Sequence, residues 1–147
     1  MATIRRAPAA ALVLVAALLL GGCMDEQERA AFDQVNQARA AAGLASLAED
    51  DELVRKAQGW ADVLAAEGGL RHSTLSDGLT PGRWGRLAEN VGVVGASGDP
   101  VATMQRAFSG SSAHRANQLG AYTHAGVGIT VAADGRVFQV QVFAAAR

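Results

Sequence analysis

Phe32, Val35 and the small Ala38 recur at helical spacing behind a cluster of acidic residues, and Gly43 follows as a stop. This pattern predicts a helix from Asp25 to Ala42, with acids at the end where the helix dipole is positive. A longer apolar stripe follows: Leu53, Val54, Ala57, Trp60, Ala61 and Leu64 share one face of a helix from about Asp50 to Glu67. Glu49-Asp50-Asp51-Glu52 suits its start and Gly68-Gly69 its end. The whole stripe, Trp60 included, reads as core. Residues 69–88 read as loop, with turns at Asp77-Gly78 and Thr80-Pro81-Gly82 and one helical turn over Arg83 to Leu87. Glu89 to Val94 reads as a short extended segment. Asp99-Pro100 offers an N-cap with Pro at the first helical position, opening a helix to about Phe108 that buries Val101, Met104 and Phe108. A second short helix is expected from Ser111 to Leu119.

The period then changes. Ala125 to Val131 and Val137 to Phe143 are rich in β-branched and aromatic residues, and Asp134-Gly135 lies between them as a turn. They predict an antiparallel hairpin containing Val127, Ile129, Val131, Phe138, Val140 and Val142. Helices first and a hairpin last, without βαβ alternation, make the chain α+β.

The N-terminus reads as an address. Arg5 and Arg6 precede an apolar run from Ala9 to Leu20, and Leu20-Gly21-Gly22-Cys23 closes it. A basic start, a short apolar run and small residues make a secretory signal. The run is shorter than the roughly 20 residues a membrane-spanning helix needs. Leu-Gly-Gly-Cys resembles the bacterial lipobox, in which the cysteine is acylated and becomes the new N-terminus; an ordinary cleavage site beside a chance Cys is the plainer reading. Cys23 is the one cysteine of the chain, which excludes an internal disulfide framework and an all-cysteine metal cluster. The expected organisation is a leader over 1–22, a tether over 23–29 and one domain over 30–147, held to a membrane by lipid at Cys23.

Composition narrows the function. The 147 residues suit a single core. All 14 acidic residues lie beyond residue 22, whereas two of the 13 basic ones belong to the leader, so the remainder carries a formal −3. No basic field is available for nucleic acid. The histidines are His72, His114 and His124, with no His-Glu-x-x-His pair. Gly95-Ala96-Ser97-Gly98-Asp99 lacks the closing Gly of a nucleophile elbow, and no Gly-Lys-Ser/Thr follows the glycines of 92–98. Glu89-Asn90 stands out, but motifs alone name no activity.

The order of segments does more. Val35-Asn36-Gln37-Ala38-Arg39 with Gly43-Leu44, Ala57-Gln58 with Trp60-Ala61, and Arg71-His72-Ser73 come first. Ala88-Glu89-Asn90-Val91, His114-Arg115-Ala116-Asn117-Gln118-Leu119, Tyr122 to Gly128 and Gln141-Val142-Phe143 follow. Over roughly residues 30–144 this series resembles the CAP superfamily, also called SCP-like, which includes cysteine-rich secretory, antigen 5 and pathogenesis-related proteins. The resemblance implies a single-domain α-β-α sandwich with a central antiparallel sheet and a cleft above it. It implies a cleft tetrad of two His and two Glu, onto which His72, Glu89 and His114 map. The second Glu would fall near Ser111, just after Phe108, so the tetrad is incomplete. Asn90, Arg115 and Asn117 are expected to support the cleft, and His124 to flank a strand start.

Two readings of the cleft stay open. His72, Glu89 and His114 have the chemistry of a three-ligand Zn site with a water in the fourth position, making one divalent metal the conceivable cofactor. Alternatively, both imidazoles hydrogen-bond Glu89, which would raise their pKa values. The expected function is a monomeric, envelope-anchored lipoprotein presenting the cleft (His72, Glu89, Asn90, His114) to a lipid, peptide or cell-wall ligand, without catalysis. The alternative is a hydrolase, metal-assisted through His72, Glu89 and His114 or acid–base through Glu89. A purely structural lipoprotein is the third reading. No Ser or Cys nucleophile with a placed partner is foreseen.

Overall fold

The computed structural model describes residues 23–147, so the leader lies outside the described residues. Helix α1 (Glu26–Ala41) opens on a reciprocal cap: Asp25 accepts from the Glu28 N–H, and Glu28 accepts from the Asp25 N–H. Residues 26–29 are thereby the first turn of a helix, where a tether was expected, and Met24 is already buried. The packed domain begins one residue after Cys23. At the other end of α1, buried Arg39 donates to the carbonyls of Ala45, Gln118 and Gly120, fastening the helix to the turn that follows α4 (Ser112–Gln118).

Helix α2 (Asp51–Glu67) is capped by Asp50 and ends at Gly68, whose φ of 69° suits glycine. Leu53, Ala57, Ala61 and Leu64 are fully buried, as the stripe predicts. Trp60 is not: it sits half-buried at the edge of the core, its indole N–H donating to the Arg71 carbonyl. Helix α3 (Pro100–Gly110) has Asp99 as N-cap and buries Val101, Met104 and Phe108, as expected.

Four strands form one sheet in the order β1-β3-β4-β2: β1 (Ala48–Glu49), β2 (Trp84–Val94), β3 (His124–Val131) and β4 (Val137–Ala146). The β3–β4 hairpin is antiparallel, as is β2 against β4. The two-residue β1 joins β3 in parallel, so the sheet is mixed where a purely antiparallel one was expected. Residues 84–87 are strand, not the helical turn their local sequence suggests. Their backbone groups pair with Ala144, Ala145 and Ala146, with a shift of register between Trp84 and Arg86.

Side chains alternate across this sheet. Phe138, Val140, Val142 and Ala144 pack with the α2 stripe, while Val137 and Phe143 join Phe32 and Val35 of α1. Gly126 and Gly128 let α2 come close: a Cβ on either would lie 2.3 Å from α2 backbone atoms. Gly92 does the same for α3, since its Cβ would lie 2.4 Å from the Met104 sulfur. The result is an α-β-α sandwich with α2 on one face and α1, α3 and α4 on the other.

Beyond β1, side chains close the outer edge of β3. The Ile129 N–H donates to Gln58 Oε1 at 3.0 Å and to Glu28 Oε1 at 3.2 Å, and Gln58 Nε2 donates to the Ile129 carbonyl. A primary amide thus stands in for a missing neighbour strand and blunts an exposed edge.

Candidate functional site

The register of β2 decides what Glu89 does. It pairs with Val142, which points toward α2, so Glu89 faces the same side, where the segment after α2 covers it. That segment is held by long-range bonds: Trp60 Nε1 to Arg71 O at 3.0 Å, and Lys56 Nζ to the carbonyls of Thr74 and Asp77 at 3.0 and 2.9 Å. Glu89 receives it from below. Its Oε1 accepts the Ser73 N–H at 2.9 Å and lies 2.9 Å from His72 Nδ1, and its Oε2 accepts the Ser73 hydroxyl at 2.6 Å. A carboxylate only accepts, so Nδ1 of His72 donates to it and Nε2 is left outside that bond. The two partners differ in access: the Glu89 side chain is 1% exposed and that of His72 60%.

Asn90 points to the opposite face and is fully buried. Its Nδ2 donates to the His114 carbonyl and to Gln141 Oε1, while its Oδ1 accepts from Asn117 Nδ2 at 2.9 Å. Asn117 also donates to the Glu89 carbonyl, and Gln118 extends the buried amide chain to Gln141 and Gln105. These amides dock α4 onto β2, the supporting role expected of Asn90 and Asn117. Asn90 itself was also expected among the ligand-binding residues of the cleft, yet its amide is spent inside the fold.

His114 sits on α4, half-buried, with its ring edge against Phe108 at a centroid distance of 4.9 Å. Burial, and secondarily the nearby His72 charge, push its pKa below the ordinary histidine value. The expected upward shift from a shared Glu89 is therefore reversed at His114, because only His72 meets the carboxylate directly. Ser111, at the place of the absent second acid, is the N-cap of α4 and accepts from the His114 N–H. His124 flanks the start of β3, its ring edge on Trp84.

The cleft above Glu89 has a volume of about 460 Å³ and is lined by His72, Ser73, Leu75, Leu87, Ala88, Glu89, Asn117 and Tyr122. Ser73 and Tyr122 escaped the sequence reading as site residues. The signals available were that Ser73 adjoins His72 and that Tyr122 is the only tyrosine of the chain. The hydroxyl of Ser73 does have a placed partner, contrary to expectation, but that partner is Glu89 and not an imidazole. Its proton is held by an acid whose other oxygen orients His72.

The tetrad residues present do not make a metal centre. Among the described residues no group of three or more His, Cys, Asp or Glu side chains is arranged to hold an ion. Both oxygens of Glu89 are already committed to His72 and Ser73, and His114 lies edge-on against Phe108.

A second buried carboxylate, Glu52, frames the far end of the same segment. It accepts from the Thr80 N–H and hydroxyl, from Trp84 Nε1 at 2.9 Å and from Arg83 Nη1 at 3.0 Å. Burial alone would raise its pKa, but these bonds outweigh it and bring the value down to about 2.

A sheet covered on both faces, with a histidine–glutamate pair under one loop and a buried amide chain behind it, defines an SCP-like domain. The chain belongs to the cysteine-rich secretory protein family, CAP, whose family model matches residues 32–143. An outer surface protein of Borrelia burgdorferi superposes with a TM-score of 0.70 at 17% identity, covering 84% of this chain and 95% of the other. An extracellular protein of Bacillus anthracis containing an SCP domain gives 0.66 at 23% identity, over 81% of this chain and 40% of that longer one. Venom allergen-like protein 4 of Schistosoma mansoni gives 0.67 at 10% identity, over 84% and 91%. No curated protein sequence matches the chain significantly.

Proposed function

We propose that this protein is a monomeric, envelope-anchored binding module, lipidated at Cys23, that presents the cleft around His72, Glu89 and Tyr122 to a lipid, peptide or cell-wall component. The observation that carries the reading is the full commitment of Glu89. Its two oxygens accept three hydrogen bonds from His72 and Ser73, so the carboxylate works as the anchor of the cleft wall. A buried acid used this way shapes a surface and holds an exposed imidazole ready as a hydrogen-bonding group. Outer surface and extracellular proteins among the structural neighbours agree with a place outside the cytoplasm. The start of the packed domain at Met24 would then hold the cleft close to the membrane.

The test is mass spectrometry of organic extracts from full-length protein purified from its membrane in mild detergent. A compound enriched with the wild type and lost from Tyr122→Ala supports the reading. Hydrolysis of an ester or peptide panel that disappears in His72→Ala would favour the acid–base alternative. Anchoring is checked separately: Cys23→Ala should leave the protein unprocessed or move it to the soluble fraction.

A further inference from the structure

On the other side of the His72–Ser73 wall lies a second cavity of about 510 Å³, open to solvent and distinct in character from the cleft. Its walls carry Arg55, Lys56 and Arg71 against one carboxylate residue, Asp77, in a chain whose acidic residues otherwise prevail. Arg71 is partly neutralised by Glu67 outside the cavity, and its guanidinium lies 4.3 Å from the centre of the Trp60 ring. Lys56 gives two bonds to the carbonyls of Thr74 and Asp77, which leaves one of its three protons uncommitted. Arg55 makes no ion pair among the described residues.

The floor of the cavity is Gly59. It lies inside α2, where glycine is the least favourable residue after proline. Its φ is not in the left-handed range, and a Cβ there would meet nothing within 4 Å. Neither backbone conformation nor close packing requires glycine here. What its missing side chain does is leave the space between Arg55, Lys56 and Trp60 open.

We propose that this cavity is an anion site that takes a phosphate group, with Arg55 and Lys56 on its oxygens and Trp60 beside the organic part of the ligand. Guanidinium is the side chain best matched to phosphate, through paired N–H donors, and an ammonium adds a compact charge. The Trp60 indole, stacked by Arg71, adds an aromatic side chain to the lining next to that charge. His72 borders both cavities, so a ligand held here reaches the edge of the cleft. Neither Arg55, Lys56 nor Arg71 pairs with Glu89, although that carboxylate holds the His72–Ser73 wall and its charge is felt at Lys56.

The experiment is isothermal titration of the full chain in nonionic detergent with inorganic phosphate, short-chain phosphatidic acid and acetate. Saturable phosphate binding is expected, with at least a tenfold loss in Arg55→Glu and in Gly59→Leu. The second variant fills the floor without removing a charge and adds a better helix former, so loss of fold does not confound it. Arg106→Glu, on α3, should bind as the wild type does. Tighter binding of phosphatidic acid than of phosphate identifies a lipid headgroup as the source, and equal binding identifies a free phosphate. No saturable phosphate binding, acetate binding as tightly as phosphate, or unchanged affinity in both Arg55→Glu and Gly59→Leu would overturn the site while leaving the cleft proposal untouched.

Discussion

Ser73 gives both its backbone N–H and its hydroxyl to the carboxylate of Glu89, at 2.9 and 2.6 Å, across sixteen residues of sequence. These bonds, with that of His72, hold the segment after α2 to the sheet. Hydrogen bonds to a charged group contribute about 1.5–3 kcal/mol each, and an orphaned buried carboxylate costs more. Ser73→Ala should therefore lower stability by about 2 kcal/mol in urea unfolding. Glu89→Ala should also open residues 70–80 to limited proteolysis before the rest of the fold. Equal protease resistance in Glu89→Ala and wild type would show that the carboxylate is not the anchor.

The two glycines of β3 set the distance between sheet and α2. A methyl on Gly126 or Gly128 would stand 2.3 Å from helix backbone, which no rotamer change can relieve. Gly128→Ala should destabilise by about 3 kcal/mol or more, the upper range for overpacking. Gly95→Ala, where nothing lies within 4 Å, serves as the control and should leave the melting temperature nearly unchanged.

Glu52 predicts a specific acid response. Its folded pKa of about 2 lies below the ordinary value of 4.5, so the unfolded chain binds more protons between the two. Its stabilising contribution is complete above about pH 4.5 and is lost as pH falls toward 2. In Glu52→Gln the urea midpoint should be lower at neutral pH and fall less steeply on acidification. An unchanged slope in the variant would assign acid unfolding to other groups.

His114 responds in the same direction for a different reason. Its lowered pKa means that the unfolded chain takes up a proton first, so its contribution is present above the ordinary histidine pKa of 6.5 and lost as pH falls through the folded value. Part of the shift comes from His72, which gives a test of their proximity. In His72→Gln the His114 ring proton should titrate at a higher pH by NMR. No movement would mean that the two imidazoles do not sense each other.

Much of this protein is written locally. The stripe of Leu53, Ala57, Ala61 and Leu64, the caps at Asp25, Asp50 and Asp99, and the alternation of Val137 to Phe143 are signals carried within one turn or one strand. They specify four helices and a hairpin with ends displaced by up to three residues. The resemblance of ordered motifs added which residues belong to one cleft. Other features required the whole fold. Trp84 to Leu87 become strand because β4 offers a ladder, and β1 exists only because β3 lies beside two residues too short to show a period. Trp60 looks like core from its place in the stripe, yet the segment ending at Arg71 draws it to the edge. Whether Glu89 meets His72, and Asn90 turns away to α4, depends on the register of β2 against β4, since one residue of slip would exchange their faces. The cavity floored by Gly59 has the same origin. Helical spacing sets Arg55, Lys56 and Trp60 around it, but only the return of residues 71–78 over α2 encloses the space.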